Sequence, residues 1–348
     1  MHIFEAPRAH LDPTAQRMKH AVEARGIDTV IKIVQREDGL QAWLTFEIGA
    51  QEFFYAFSVL RLRSKGDQDT IGPNINHEAM LLISDKHAAK MHFFEKGFSV
   101  PKGFYFRRRN IKQAYASFSA FQGPVCVKPN NGLAGLCVNT DITDEKWFNF
   151  ALDQVAQSYP NIVVEESVRG EHFRFFYVAP NIVAIRHVRL ADVIGDGAST
   201  LLDLIKTKIE SRRQRGLTSE PPFKIDQEMR EYLDRTGHSF QDVPFKGKRI
   251  QLRGVVGTAR GSESDVVWDE VHSSYREIVE KACLATPGLV FSGVDVVVAN
   301  PRVSATNQNY WILEMNASPV TTFFYYSQNG RSVDVAGHVV DLLINTYS

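Results

Sequence analysis

Two carboxylates and an amide in the last sixty residues have the side-chain types of a magnesium site. Asp295 lies in an apolar segment, where an unpaired carboxylate is costly to bury. Glu314 and Asn316 are two residues apart, and in a strand this spacing places both side chains on one face. An ion pair of these carboxylates with Arg253 or Arg302 is the alternative. We favour the metal, because three oxygen donors, one of them a neutral amide, suit Mg²⁺ better than an ion pair.

A lysine directly before a glycine-containing turn is a second candidate for chemistry. Lys128 ends the apolar segment 125–128, and Gly132 and Gly135 follow it. Glycine adopts backbone conformations that let amide N–H groups approach a phosphate. Taken alone, this pattern fits a solvated strand end equally well.

Consecutive carboxylates form the third candidate group. Glu165 and Glu166 follow an apolar run, and Glu171 comes shortly after them. A carboxylate accepts hydrogen bonds from an adenine amino group or from a ribose diol, although exposed charges at a strand end are also common. Lysines, a glycine turn and hard oxygen donors together are the groups needed to activate a carboxylate with ATP. That chemistry requires neutralised phosphates, a held metal and exclusion of water.

Composition excludes several classes of protein. The 348 residues are enough for two or three domains or subdomains, and 40 basic residues balance 40 acidic ones. We therefore expect no general polyanion binder and no nucleic-acid partner. Three cysteines without metal-site spacing indicate buried, reduced thiols. The absence of a signal-like start and of a membrane-length apolar run predicts a cytoplasmic protein with no membrane partner.

Hydrophobic periodicity indicates the elements that must position these groups. Residues 1–83 combine a helix over 14–25 with strands over 29–34, 42–48 and 52–60. Residues 84–168 form a small α+β unit that starts with a helix capped by Ser84, with strands over 125–128, 136–139 and 161–166. Residues 169–348 form a larger unit, with strands over 173–178, 182–188, 250–255, 293–298 and 310–314. Its helices are expected over 200–213, 270–285 and 333–343. The polar stretch 215–248 is interpreted as an insertion or lid-like connection.

The order of five motifs resembles that of the ATP-grasp superfamily: Asp85-Lys86, Val127-Lys128-Pro129, Glu165-Glu166, Asp295 and Glu314-x-Asn316. The closer similarity is to the ATP-grasp region of cyanophycin synthetase and of bifunctional glutathione synthetases. It includes segments 84–101, a GDGxxT motif within 195–205, and 252–272, and it covers roughly residues 84–345.

The resemblance implies an α+β ATP-grasp fold, in which two α+β subdomains grip ATP, preceded by a small N-terminal α/β domain. The expected boundaries are an N-terminal domain over 1–83, the small ATP-grasp subdomain over 84–168, and the large subdomain with the metal site over 169–348.

The resemblance also implies a role for each site residue. The phosphates would be held by Lys86 and Lys128, with the turn at Gly132 and Gly135 closing over them. Adenine would be contacted by Glu165, Glu166 and the backbone of Val168, and ribose by Glu171. The magnesium ligands would be Asp295, Glu314 and Asn316. The transferred phosphoryl group would meet Arg253, with a further charge contact from Arg260. A substrate carboxylate would meet Arg189 or, equally, Arg186.

Two segments depart from the pattern of these relatives. Val320 follows Pro319 where they tend to have glycine, and the aromatic run 323–326 indicates an apolar substrate wall or, alternatively, core packing. The loop 254–261 lacks the Asn and Ser-Thr-Gly-Gly of the relatives. The absence of a Mur-ligase-like domain argues against a cyanophycin polymerase.

The resulting hypothesis is an ATP- and Mg²⁺-dependent carboxylate–amine ligase. It would join amino acids or small peptides through an acyl phosphate, in a peptide or gamma-glutamyl type of bond, by positioning and charge stabilisation. The alternatives are an ATP-grasp phosphotransferase acting on a small-molecule hydroxyl, and a nucleotide-binding protein without turnover. A homodimer is compatible with the fold family.

Overall fold

An antiparallel five-stranded sheet opens the chain. The computed structural model describes residues 3–36, 39–64, 71–132, 135–214, 223–257, 260–325, 327 and 330–348. The strands lie in chain order: β1 (Ile3–Glu5), β2 (Thr29–Arg36), β3 (Gly39–Ile48), β4 (Gln51–Ala56) and β5 (Val59–Ser64). Helix α1 (Pro13–Glu23) and the C-terminal helix α9 (Val335–Tyr347) pack together beside this sheet.

The predicted strand 52–60 was wrong in extent, because a two-residue turn divides it into β4 and β5. Phe57 and Ser58 both have positive φ, 50° and 64°. The usual glycine or asparagine signal for such a turn is missing. Instead, the start of α1 supports the turn: Phe57 N donates to Asp12 Oδ2 (2.8 Å) and Ser58 N to Thr14 Oγ1 (3.0 Å).

A small lobe follows the first sheet. Its four antiparallel strands, in the order β6-β9-β7-β8, are β6 (Gly103–Arg107), β7 (Val125–Pro129), β8 (Asn139–Ile142) and β9 (Asn161–Glu166). Strand β8 begins where the sequence-based strand over 136–139 was expected to end. Helices α4 (Ile111–Ala116) and α5 (Glu145–Ser158) cover one face, where Val127 and Val164 are buried. Side chains alternate along a strand, so Lys128 and Glu165 lie on the other face.

The large sheet is also antiparallel, in the order β14-β11-β10-β15-β16. Its strands are β10 (Glu171–Val178), β11 (Asn181–Arg189), β14 (Glu263–Val267), β15 (Phe291–Val298) and β16 (Tyr310–Asn316). Helices α2 (His77–Ile83), α3 (Lys86–Glu95) and α8 (Ser273–Leu284) contribute to the apolar core on one face. On the other face, Phe176, Ala184 and Phe291 share a core with α1, α9 and the first sheet. This core contains residues from both sides of the domain boundary expected at residue 83. The boundary itself stays a prediction.

A further apolar cluster lies within the long connection between β11 and β14. It contains β12 (Asp192–Ile194), α6 (Leu201–Gln214), α7 (Gln227–Arg235) and β13 (Arg249–Gln251). The strand predicted over 250–255 is shorter than expected, since β13 ends at Gln251. The predicted insertion 215–248 contains helix α7. Residues 215–222 of this insertion lie outside the described part of the chain. Among the described helices, none combines the length and apolar character needed to cross a membrane.

Candidate functional site

Four charged side chains form a row across the large sheet. Glu314, Asp295, Arg174 and Arg186 are successive cross-strand partners, and directly opposed residues of antiparallel strands share a face. Arg174 grips Asp295 with two hydrogen bonds, Nε to Oδ1 at 2.7 Å and Nη2 to Oδ2 at 2.5 Å. Asp295 thus has an ion pair, but with Arg174 rather than with the arginines named as alternatives from the sequence.

The three predicted metal ligands lie together on this face. Asn316 Nδ2 is 3.3 Å from Asp295 Oδ2 and 3.5 Å from Glu314 Oε1. Burial opposes the charge on Glu314, but Lys86, Lys128 and Arg174 hold its pKa below the ordinary value. The described residues contain no cluster of three His, Cys, Asp or Glu side chains for a metal, so the donor set is two carboxylates and an amide. These hard oxygen donors fit Mg²⁺, and each carboxylate oxygen has lone pairs beyond those given to Arg174.

Lys86 connects this donor set to the glycine turn. It is the first residue of α3, which Asp85 caps by accepting a hydrogen bond from Ala88 N. The cap predicted at Ser84 was wrong, because Ser84 ends α2. Lys86 Nζ lies 3.2 Å from Glu314 Oε2 and donates to the carbonyl oxygen of Gly132 at 2.8 Å. One ammonium group therefore contacts both the large sheet and the turn that follows Lys128.

Glu165 sits between two buried lysines. Its Oε1 is 2.7 Å from Lys128 Nζ, and its Oε2 contacts Lys90 Nζ. All three side chains are buried. Burial lowers the pKa of Lys90 to about 8, although Glu165 opposes the change. Burial also disfavours charge on Lys128 and Glu165, yet their attraction raises the pKa of Lys128 and lowers that of Glu165.

Glu166 points away from Glu165, because consecutive strand residues face opposite sides. Its Oε1 accepts a hydrogen bond from Lys102 N at 3.0 Å. Glu166 and Val168 line an open cleft of about 600 Å³ at the connection between the two lobes, together with Phe104, Phe121 and Trp311. The structure brings both predicted residues to one cleft without placing the two glutamate carboxylates side by side.

The same alternation separates Glu171 from the charged row. Glu171 lies on the opposite face of β10 from Arg174, and its Oε2 is 3.1 Å from His187 Nε2. His172 is the residue on the face of Arg174. Burial lowers the pKa of His172 to about 4, and the neighbouring His187 adds to this effect.

The predicted arginines fall into two groups. Arg253 and Arg260 both contact Glu228 of α7, and Arg260 Nη2 donates to the carbonyl oxygen of Gly135 at 2.8 Å. Arg189 pairs with Asp265 on the face of β11 opposite to Arg186.

Arg186 is the last member of the charged row, and it contacts the aromatic run that follows Asn316. Its Nε donates to Ser264 Oγ at 3.1 Å, and its Cζ lies 4.8 Å from the centre of the Phe323 ring. Phe324 is fully buried in the core shared with the first sheet, so core packing accounts for that aromatic residue. Tyr326 lies outside the described residues.

Sequence reasoning missed Lys90, Arg174 and His172. Lys90 follows Lys86 by four residues, which places the two on one helix face and was a usable signal. Arg174 interrupts an apolar strand, which was a signal similar to the one used for Asp295. His172 lies two residues before Arg174, so strand alternation places both on one face, and this was a usable signal once Arg174 was recognised.

Two curated proteins illustrate what this chain is similar to in sequence. The glutathione biosynthesis bifunctional protein GshAB of Clostridium perfringens is 28% identical over 271 residues, covering 76% of this chain and 34% of that protein. Cyanophycin synthetase of Trichormus variabilis is 26% identical over 290 residues, covering 78% of this chain and 32% of that protein. This chain thus spans about a third of the length of these relatives. No family model matches it.

A solved structure shows the fold. The crystal structure of a bifunctional glutathione synthetase from Pasteurella multocida superposes with a TM-score of 0.61 at 21% identity, covering 97% of this chain and 44% of that one. The predicted resemblance to ATP-grasp enzymes and the predicted α+β ATP-grasp fold are confirmed.

Proposed function

We propose that this ATP-grasp chain is an ATP- and Mg²⁺-dependent carboxylate–amine ligase that joins amino acids or small peptides through an amide bond. The observation that carries the proposal is the position of Lys86, whose ammonium group contacts Glu314 on one side and the glycine turn on the other. The names of the relatives, glutathione biosynthesis protein and cyanophycin synthetase, support the same reaction class.

In this proposal the nucleotide lies between the small and large lobes. Lys86 and Lys128 neutralise phosphate charge. Glu165 and the backbone of Val168 form hydrogen bonds with the adenine base. Glu166 contributes through its backbone, since its carboxylate faces Lys102. We assign the ribose contact to His172 rather than to the predicted Glu171, because His172 shares a strand face with Arg174.

Asp295, Glu314 and Asn316 would hold Mg²⁺, which would supply positive charge to the phosphate oxygens during transfer. Arg174 keeps Asp295 oriented through its two hydrogen bonds. The turn at Gly132 and Gly135 would cover the phosphates and exclude water. Gly135 has a φ of +68°, a conformation that glycine adopts without strain.

The reaction needs no covalent nucleophile from the protein. A substrate carboxylate oxygen attacks the terminal phosphorus of ATP and ADP leaves. The amine then attacks the acyl carbon, and phosphate leaves as the amide forms and the amine loses a proton. Arg253 and Arg260 would stabilise the charge on the transferred group.

For the substrate carboxylate we favour Arg186 over Arg189. Arg186 shares its strand face with the charged row, and Phe323 provides an apolar surface beside it. Arg189 faces the other side of the sheet, where it contacts Asp265.

A panel of amino-acid and dipeptide pairs, incubated with MgATP, tests the proposal. We expect phosphate release in proportion to a new amide mass, detected by mass spectrometry. A phosphorylated product would instead support the phosphotransferase. Nucleotide binding without stimulated hydrolysis across the whole panel would support a binding protein without turnover.

A further inference from the structure

The two arginines assigned to the transferred phosphoryl group are both engaged by acidic residues of one helix. Arg253 is 1% exposed, and its Nη2 donates to Asp226 Oδ2 at 2.8 Å and to the carbonyl oxygen of Lys224 at 3.0 Å. Its Nη1 lies 3.3 Å from Glu228 Oε2. Arg260, which is 6% exposed, contacts the other oxygen of Glu228 through Nη1.

The carboxylate of Glu228 therefore bridges two buried guanidinium groups. The bridge leaves donors unused: Arg253 Nε and Nη1 are buried and donate hydrogen bonds to no acceptor among the described residues. Buried donors without acceptors are costly, and a guanidinium group offers five N–H donors in a fixed plane. A phosphoryl group carries three oxygens, one more than a carboxylate, so it can serve more of these donors than Glu228 does.

This arginine pair adjoins the glycine turn of the small lobe. Arg260 Nη2 donates to the carbonyl oxygen of Gly135 at 2.8 Å, seven residues after Lys128. Thr140 Oγ1 of β8 also donates to the carbonyl oxygen of Gly254 at 3.0 Å, so the small lobe and the segment after Arg253 are in contact at two points.

Helix α7 can release Glu228 without losing its own anchors. Met229 and Leu233 are buried in the cluster formed with α6, β12 and β13. Asp226 caps the helix by accepting a hydrogen bond from Met229 N at 3.0 Å. The side chain of Glu228 is 42% exposed and only its carboxylate reaches the arginines. A change in the rotamer of Glu228 is therefore enough to free Arg253 and Arg260 for an anion.

We propose that Glu228 is an internal competitor that occupies the anion site of Arg253 and Arg260 until the terminal phosphoryl group of the nucleotide displaces it. The inference rests on the proposed function and adds a regulation to it. With Glu228 in place, the charge of the arginines is balanced and the site is closed to weak anions. Displacement couples arrival of the γ-phosphoryl group to movement of Glu228 away from Arg260, the residue that contacts the glycine turn.

The test compares nucleotide affinities of the wild-type protein and Glu228→Gln by isothermal titration calorimetry with Mg²⁺ present. The ligands are AMP-PNP, which carries a γ-phosphoryl group, and ADP, which ends at the β-phosphoryl group. We expect Glu228→Gln to bind AMP-PNP about tenfold more tightly than wild type, with ADP affinity unchanged, because the competing charge is gone. Arg260→Met in the Glu228→Gln background should remove the gain. Glu231→Gln, on the same helix, is the matched control.

Equal or weaker AMP-PNP binding by Glu228→Gln would overturn the competitor and leave the proposed function standing. Equal tightening for ADP and AMP-PNP would also overturn it, since the effect would not depend on the terminal phosphate. Absence of binding of either nucleotide to the wild-type protein would overturn the proposed function and the anion site with it. Glu228→Asp, which keeps the charge, should fold like wild type and bind AMP-PNP less tightly than Glu228→Gln.

Discussion

Lys128 and Glu165 form a buried ion pair that joins strands β7 and β9, with 2.7 Å between Nζ and Oε1. Lys90 of α3 contacts the other carboxylate oxygen. One carboxylate thus compensates two buried ammonium groups, which leaves a local excess of positive charge. An anionic phosphate there would restore the balance, which is the electrostatic basis for placing the nucleotide at this point.

Glu165→Gln should destabilise the fold strongly. The substitution leaves Lys90 and Lys128 buried without a counter-charge, and removal of one partner from a buried ion pair costs about 3–5 kcal/mol. Urea unfolding of the variant measures the loss. Glu166→Gln is the matched control, since that carboxylate lies on the other side of β9, where it accepts a hydrogen bond from the backbone of Lys102. Equal stability of the two variants would contradict the buried charge cluster.

Gly103→Ala should separate strands β6 and β9. A Cβ atom at this position would lie 2.3 Å from the carbonyl oxygen of Val164 and 2.6 Å from Glu165 Cβ. Overpacking of this kind costs about 1–3 kcal/mol, and the shift of Glu165 should also weaken nucleotide binding. Thermal unfolding and nucleotide titration measure both effects. Gly123→Ala, where no atom beyond the chain neighbours lies within 4 Å of the added Cβ, should leave the thermal unfolding unchanged.

His172 should make stability fall in mild acid. The ordinary histidine pKa is 6.5, and burial lowers that of His172 to about 4. Between pH 6.5 and pH 4, His172 is therefore mostly protonated in the unfolded chain and mostly neutral in the folded chain. Stability from this group is present above about pH 7 and is lost as the pH falls toward 4. Between pH 7 and pH 5 the loss is about 2 kcal/mol.

Urea unfolding of wild type and His172→Gln at both pH values isolates this contribution. The variant should lose about 2 kcal/mol less than wild type on acidification. His338→Gln, at an exposed position on α9, should retain the wild-type dependence. An unchanged dependence in His172→Gln would show that the histidine is not buried as described.

Glu314→Gln should abolish turnover while leaving the fold intact. The substitution removes one of two carboxylates from the candidate Mg²⁺ site and the counter-charge of Lys86 at 3.2 Å. We expect at least a hundredfold loss of the rate, an effect of about 3 kcal/mol on the transition state. Phosphate release measured across a Mg²⁺ titration, with circular dichroism for the fold, provides the check. Wild-type rates would refute the metal assignment, and Glu277→Gln, exposed on α8, should behave like wild type.

Local patterns in the sequence determined much of this protein. The spacing of Glu314 and Asn316 predicted their common strand face, and the helix start predicted with Ser84 as its cap lies one residue before the observed cap, Asp85. The order of the motifs predicted the fold. These features depend on neighbours within a few residues, where the period of a strand or helix sets the direction of each side chain.

Contacts between distant segments were decided only by the tertiary structure. Arg174 pairs with Asp295 across 121 positions of sequence, and Lys90 reaches Glu165 across 75. Alternation along β10 already places His172 on the face of Arg174, but the register of β10 against β15 decides that Arg174 on that face meets Asp295. Glu228 meets Arg253 and Arg260 only because α7 folds back over the segment after β13. Sequence fixes the local direction of a side chain, but strand pairing and packing between lobes fix which charge it meets.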